Sequence, residues 1–210
     1  HELRKFFEKV EFKSFVRKLD FEPTNESGEE VKVEYNYHIN DLTGLDTSSV
    51  QDFSNCFSGC ESISEIKGME NFNVSNVTSL NGTFRGCGIT TLDLSSWTFK
   101  PGVNMYQCFT GSKITSIDLS NTTIKSGFQE LFYNCKSLTS ITIPNGVTEI
   151  SEGAFRFCSS LTSVTIPDTV RKIDELAFCA CKSLTNITIP DSVTYIGVNA
   201  FTNCYLLEDI

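Results

Sequence analysis

Nine cysteines, two histidines and 26 acidic side chains are the groups of this 210-residue chain that could do nucleophilic, metal or acid–base chemistry. Their spacing points elsewhere. Cys60, Cys87, Cys135, Cys158, Cys181 and Cys204 each stand three residues after a phenylalanine, and Ser112 takes that place after Phe109. A position that recurs in this way is a slot in a repeat, suited to a buried, reduced thiol acting as a small apolar group with a weak donor. Cys56 and Cys108 share a second slot with Thr83, Leu131, Ala154, Ala177 and Ala200, and Cys179 has no equivalent. Disulfides are the rival reading. Stacked coils would allow the Cα separation that a bridge needs, but consecutive coils offer identical thiols and the odd total leaves one over. So many thiols cut against a strongly oxidising compartment, where free cysteines are usually avoided, unless they are buried in an anaerobic or reducing setting.

Zinc would need closely spaced cysteine pairs converging from different turns, commonly with histidine. The spacings Cys56 to Cys60 and Cys179 to Cys181 do not recur, and the histidines are His1 and His38 alone. No metal or cofactor is expected. Catalysis needs a nucleophile, a base and an orienting group. No motif surrounds His38, and the carboxylates mostly recur at exposed repeat slots, so the chain reads as non-enzymatic.

The period that places these residues is plain in the last third. Leu138, Leu161, Leu184 and Leu207 lie 23 residues apart, as do Pro144, Pro167 and Pro190. Each unit reads L-T-x-I/V-T-I-P-N/D-x-V-x-x-I-x-x-x-A-F-x-x-C. Looser copies begin at Ile63, Ile89 and Ile114, and the phenylalanine ladder runs Phe57, Phe84, Phe109, Phe132, Phe155, Phe178 and Phe201. No unit could bury its own apolar face. Stacked at the spacing of paired strands, about 4.8 Å, the units would share a Leu/Ile/Phe core and a parallel hydrogen-bond ladder. The expected fold is a β-rich solenoid of about seven parallel coils over residues 38–210, with an N-terminal α/β cap over residues 1–37.

In that cap, Leu3, Phe6, Phe7 and Val10 form one helical stripe and Phe12, Phe15, Val16 and Leu19 a second that points the opposite way, which predicts a break near residue 11. Val31, Val33, Tyr35, Tyr37 and Ile39 alternate as a strand. At the other end, Leu207 to Ile210 open an eighth unit, as expected of a piece cut from a longer protein or of a partial coil serving as a lid.

The repeat L-T-x-I-T-I-P-x-x-V-x-x-I-x-x-x-A-F-x-x-C-x-S resembles the BspA-like (Treponema pallidum type) leucine-rich repeat of bacterial surface proteins. "GMENFNVSNVTSLNGTF", "LDTSSVQDFSNCFSGC" and "LDLSSW" resemble the related surface-protein repeat of mycoplasmas, lactobacilli and gut bacteria. Ser151 and Asp174 depart from the pattern where Gly197 keeps the family glycine. The resemblance implies a non-enzymatic, curved solenoid, displayed on the cell surface or secreted, that adheres to host proteins or other cells. It carries no binding residues of its own to transfer.

The residues between the buried positions of each first strand would form strips on one sheet face: Thr91, Ser116, Ser140, Ser163 and Asn186, then Asp93, Asp118, Thr142, Thr165 and Thr188. Thr90, Thr115, Thr139, Thr162 and Thr185 form a third. Inert β-branched surface residues would give the same pattern. Trp97 and Phe99, in a coil lengthened by two residues, are the aromatic candidates for an exposed contact, with an inward fold the equal alternative. The formal charge of −9 leaves no basic face for nucleic acid or anionic lipid, and no run approaches the length of a membrane span. The expected partner is a protein, either a host matrix protein or another cell-surface protein, engaged by a monomer. A passive stalk in a larger surface protein is the alternative.

Overall fold

Short apolar segments separated by Pro, Gly, Asn and Ser breaks cannot form long strands, and the strands are accordingly two or three residues each. The computed structural model describes residue 42 and residues 46–119, 122, 124 and 128–208. The expected cap over 1–37, the strand from Val31 to Ile39, both histidines and Asp209–Ile210 lie outside the described residues.

The chain winds as a parallel β-solenoid. On one wall, β1 (Thr91–Asp93) pairs with β2 (Ser116–Asp118), while β3 (Ser140–Thr142), β5 (Ser163–Thr165) and β7 (Asn186–Ile187) form a second sheet. Around the corner, β4 (Glu149–Ile150), β6 (Lys172–Ile173) and β8 (Tyr195–Ile196) make a third. Every pairing is parallel and in register at the repeat step, so Ile141 faces Val164 and Val164 faces Ile187. The described helix is one 3-10 turn, Met69–Asn71. The first-wall three-residue strands alternate exposed, buried, exposed, which is the period of a strand with one face on the core.

The core runs the length of the stack. The seven ladder phenylalanines lie ring over ring, with centroids 5.2–5.5 Å apart and planes within 7° of parallel. Each ring except that of Phe201 is covered on both faces or buried at its end. Between coils, the Phe132 N–H donates to the Ala154 carbonyl, Phe155 to Ala177 and Phe178 to Ala200, at 2.8–2.9 Å. These bonds hold the rings at one height per coil.

The recurring cysteine completes this turn. The carbonyl of Phe132 accepts the Cys135 N–H at 3.1 Å within its own coil and the Cys158 thiol at 3.1 Å from the next. Cys135 gives its thiol to Phe109 in the same way, Cys181 to Phe155 and Cys204 to Phe178. A buried carbonyl has two lone pairs. The thiol fills the second one at little cost in volume, which is a physical reason for a small donor at this slot.

All nine thiols are free. Burial pushes the Cys135 thiol up to about 11, and it raises Cys108, Cys158 and Cys181 further still. Such thiols stay protonated and shielded at neutral pH. Cys204 departs from the expected full burial and is only partly buried, because no further described coil covers it. Ile196 and Tyr205 are open for the same reason. A thiol reagent at neutral pH should leave the fully buried cysteines untouched in the native protein and label all nine after denaturation. A disulfide along the ladder, detected by mass spectrometry of the native protein, would overturn this arrangement.

Two rows of left-handed residues turn each corner. One is Asn55, Gly82, Gln107, Glu130, Gly153, Leu176 and Asn199; the other is Gly59, Gly86, Gly111, Asn134, Phe157, Ala180 and Asn203. Glycine and asparagine are the usual occupants of this conformation. The second row lies one residue before the cysteine slot throughout.

Candidate functional site

The sheet wall built by β1, β2, β3 and β5 lines an open groove of about 590 Å³. Its polar lining is Thr91, Asp93, Ser116, Asp118, Ser140, Thr142, Ser163 and Thr165, with Leu92, Ile117, Leu119 and Ile141 forming the floor. The strand period sends residues on either side of one buried position to the same face, so each coil contributes a pair. Register then aligns the pairs: Thr91 opposite Ser116, Asp93 opposite Asp118, Ser140 opposite Ser163, and Thr142 opposite Thr165. Asn186 and Thr188 continue the rows as exposed residues beyond the groove lining.

The third strip, from Thr90 to Thr185, proves to be structural. Thr115 donates its hydroxyl to the Thr90 carbonyl at 3.0 Å, Thr139 to Thr115 at 3.2 Å, Thr162 to Thr139 at 3.0 Å and Thr185 to Thr162 at 3.3 Å. Each hydroxyl ties its coil to the preceding one. By contrast, the side chains of Ser116, Ser140, Thr142, Ser163 and Thr165 make no hydrogen bond among the described residues. Their donors and acceptors are open to whatever enters the groove.

The electrostatics are graded along the stack. Asp93 and Asp118 place two carboxylates side by side at one end, and the matching row continues as Thr142 and Thr165. Like charges directly opposite on neighbouring strands repel. The Ser95 hydroxyl and backbone N–H hold the Asp93 carboxyl below its ordinary value, the N–H donating at 2.8 Å. Among the described residues no cluster of three or more His, Cys, Asp or Glu side chains could hold a metal.

The aromatic candidates fall elsewhere. Trp97 and Phe99 are buried rather than exposed. The indole N–H donates to the Met69 carbonyl at 3.0 Å, and the ring lies parallel to Phe72 at 6.1 Å with Phe99 edge-on at 5.8 Å. Phe72 in turn stacks on Phe53 at 5.6 Å. The two extra residues of this coil therefore supply core volume, not a protruding loop. The buried indole N–H has the partner that its desolvation requires.

Parallel coils with one ladder phenylalanine and one turn each, and a short strand pair in each of the last three repeats, define a leucine-rich-repeat solenoid. Residues 103–210 match the BspA type leucine rich repeat region in six copies, and residues 29–144 match a family described as Mycoplasma protein of unknown function, DUF285. The chain belongs to the BspA-type leucine-rich-repeat family. Among solved structures it is similar to a leucine-rich repeat protein from Eubacterium ventriosum, with 23% identity, 71% of this chain and 39% of that chain covered, and a TM-score of 0.56. That likeness carries the fold alone. A leucine rich cell surface protein from Faecalibacterium prausnitzii shares 34% identity over 78% of this chain and 36% of its own, with a TM-score of 0.48. The T. pallidum leucine rich repeat protein shares 25% over 76% of this chain and 72% of its own, with a TM-score of 0.49. The chain thus spans little more than a third of the length of the first two. No curated protein matches it.

Proposed function

We propose that the chain is a protein-interaction module of a cell-surface or secreted protein, acting in adhesion through the groove face of its first sheet wall. One observation carries the reading: the groove rows present hydroxyls without internal partners across consecutive coils, while the strip beside them spends its hydroxyls on holding the stack together. No single coil offers convergent catalytic chemistry. An extended partner segment lying across the coils would meet a repeated polar pattern, with acid at the Asp93/Asp118 end. Membership of the BspA-type family supports the surface assignment. Among the described residues no helix is long and apolar enough to cross a membrane.

The test is a binding panel of host matrix and cell-surface proteins against the wild-type chain and a triple variant, Asp93→Lys, Asp118→Lys and Thr142→Lys. Binding by the wild type should fall at least about tenfold in the variant, a loss of about 1.4 kcal/mol. Thr142→Lys, exposed and without a side-chain hydrogen bond among the described residues, should move stability by no more than about 0.5 kcal/mol, while Asp93→Lys, which gives up the Ser95 N–H, should cost more than that. A panel with no binder favours the passive stalk. A binder indifferent to the variant would show that the groove face does not carry binding.

A further inference from the structure

A different corner of the solenoid carries two local costs in consecutive residues. Phe157 holds φ at 64° in a row whose other members are Gly59, Gly86, Gly111, Asn134, Ala180 and Asn203. A bulky side chain is disfavoured there, and strain of this kind is kept where the surroundings or the function demand it. Leu176 in the other row shows that strain alone does not mark a site.

The second cost is next to it. The guanidinium of Arg156 lies 4.8 Å from the Phe157 ring centroid and 5.9 Å from that of Tyr133, and the two rings meet edge to face at 5.5 Å. Its Nε is buried without a hydrogen-bond partner, and the side chain makes no ion pair among the described residues. A buried unpaired donor is unfavourable. The rings preorganise a planar cation from two successive coils, since Tyr133 occupies in its coil the place that Arg156 holds in the next. All three side chains remain partly exposed.

We propose that Tyr133, Arg156 and Phe157 form a second interaction surface, separate from the groove, that receives a carboxylate side chain of an acidic protein segment. Arginine stacked on aromatics and free of an internal anion is suited to bidentate carboxylate recognition. Tyrosine and arginine are also the residues that dominate protein hot spots. The aromatic and arginine anchors missing from the groove rows are found here. Phe157 accepts a strained backbone in order to put its ring beneath the guanidinium.

The experiment titrates the wild-type chain with the acidic peptide Ac-Asp-Gly-Asp-Gly-Asp-amide and with its neutral counterpart Ac-Asn-Gly-Asn-Gly-Asn-amide, following the arginine Nε–H and aromatic NMR signals. The acidic peptide should move the Arg156, Tyr133 and Phe157 signals and the neutral one should not. Arg156→Gln should weaken binding about tenfold, the size expected for losing one charge-assisted pair. Phe157→Gly should weaken it comparably while leaving Tm unchanged or higher. No movement with the acidic peptide, equal movement with the neutral one, or unchanged affinity in Arg156→Gln would overturn the proposal. So would a Phe157→Gly protein that melts lower yet binds as tightly as the parent. Should Phe157→Gly fail to fold, Arg156→Gln decides alone.

Discussion

Phe178→Ala should remove about 3–5 kcal/mol of stability, the range for deleting a fully buried aromatic. The ring has no exposed surface and is sandwiched between Phe155 at 5.2 Å and Phe201 at 5.3 Å. Its loss leaves a void in a column that neighbouring coils cannot close without breaking backbone bonds, because the Phe178 N–H is tied to Ala200 at 2.8 Å. Phe201, covered on one side only, should cost less when truncated. Thr165→Ala, on the groove face, should stay within about 0.5 kcal/mol. Denaturant unfolding of the three variants checks the order. Similar losses for Phe178→Ala and Thr165→Ala would contradict the assignment of inside and outside.

Gly88→Ala should be the other severe change, at about 3 kcal/mol, toward the upper end of what overpacking costs. A methyl group at Gly88 would fall onto the Glu61 carbonyl and lie 2.9 Å from the Ile63 oxygen, both backbone atoms of the preceding coil. The Gly88 N–H donates to the Cys60 carbonyl at 3.0 Å, so this segment cannot back away. Gly59 is the control. It has positive φ but nothing within 4 Å of an added methyl group, so Gly59→Ala should cost only the left-handed penalty of about 1 kcal/mol. Thermal melts in which the two alanine variants lose the same stability would show that close coil approach is not what Gly88 serves.

Much of this was readable in the repeat, because a fixed step of 23 residues forces equivalent side chains into equivalent surroundings. Phe132, Phe155 and Phe178 stack as their spacing requires, and Thr142 and Thr165 point outward from in-register strands. Where the step breaks, inference fails. Trp97 and Phe99 sit in a lengthened coil, and spacing says nothing about which way an inserted segment folds; the indole turned inward to fill core and bond Met69. The left-handed rows carried a signal in Gly59, Gly86, Gly111, Asn134 and Asn203, all just before the cysteine slot, but Phe157 and Ala180 dilute it. That the cysteine thiol bonds the preceding coil's phenylalanine carbonyl, and that Thr115 and its equivalents brace the stack, depends on atomic approach between coils. Sequence alone cannot supply that. Thr139 and Thr142 look alike in the repeat; one hydroxyl is spent on the neighbouring coil and the other faces the groove.

The most direct test of the central claim is covalent footprinting of the chain with and without a protein partner recovered from the binding panel, read residue by residue by mass spectrometry. Protection should run continuously across the strands Thr91–Asp93, Ser116–Asp118, Ser140–Thr142 and Ser163–Thr165, with the Thr115 and Thr139 hydroxyl strip little changed. Protection confined to a single coil, or found only on the turns away from this wall, would contradict it.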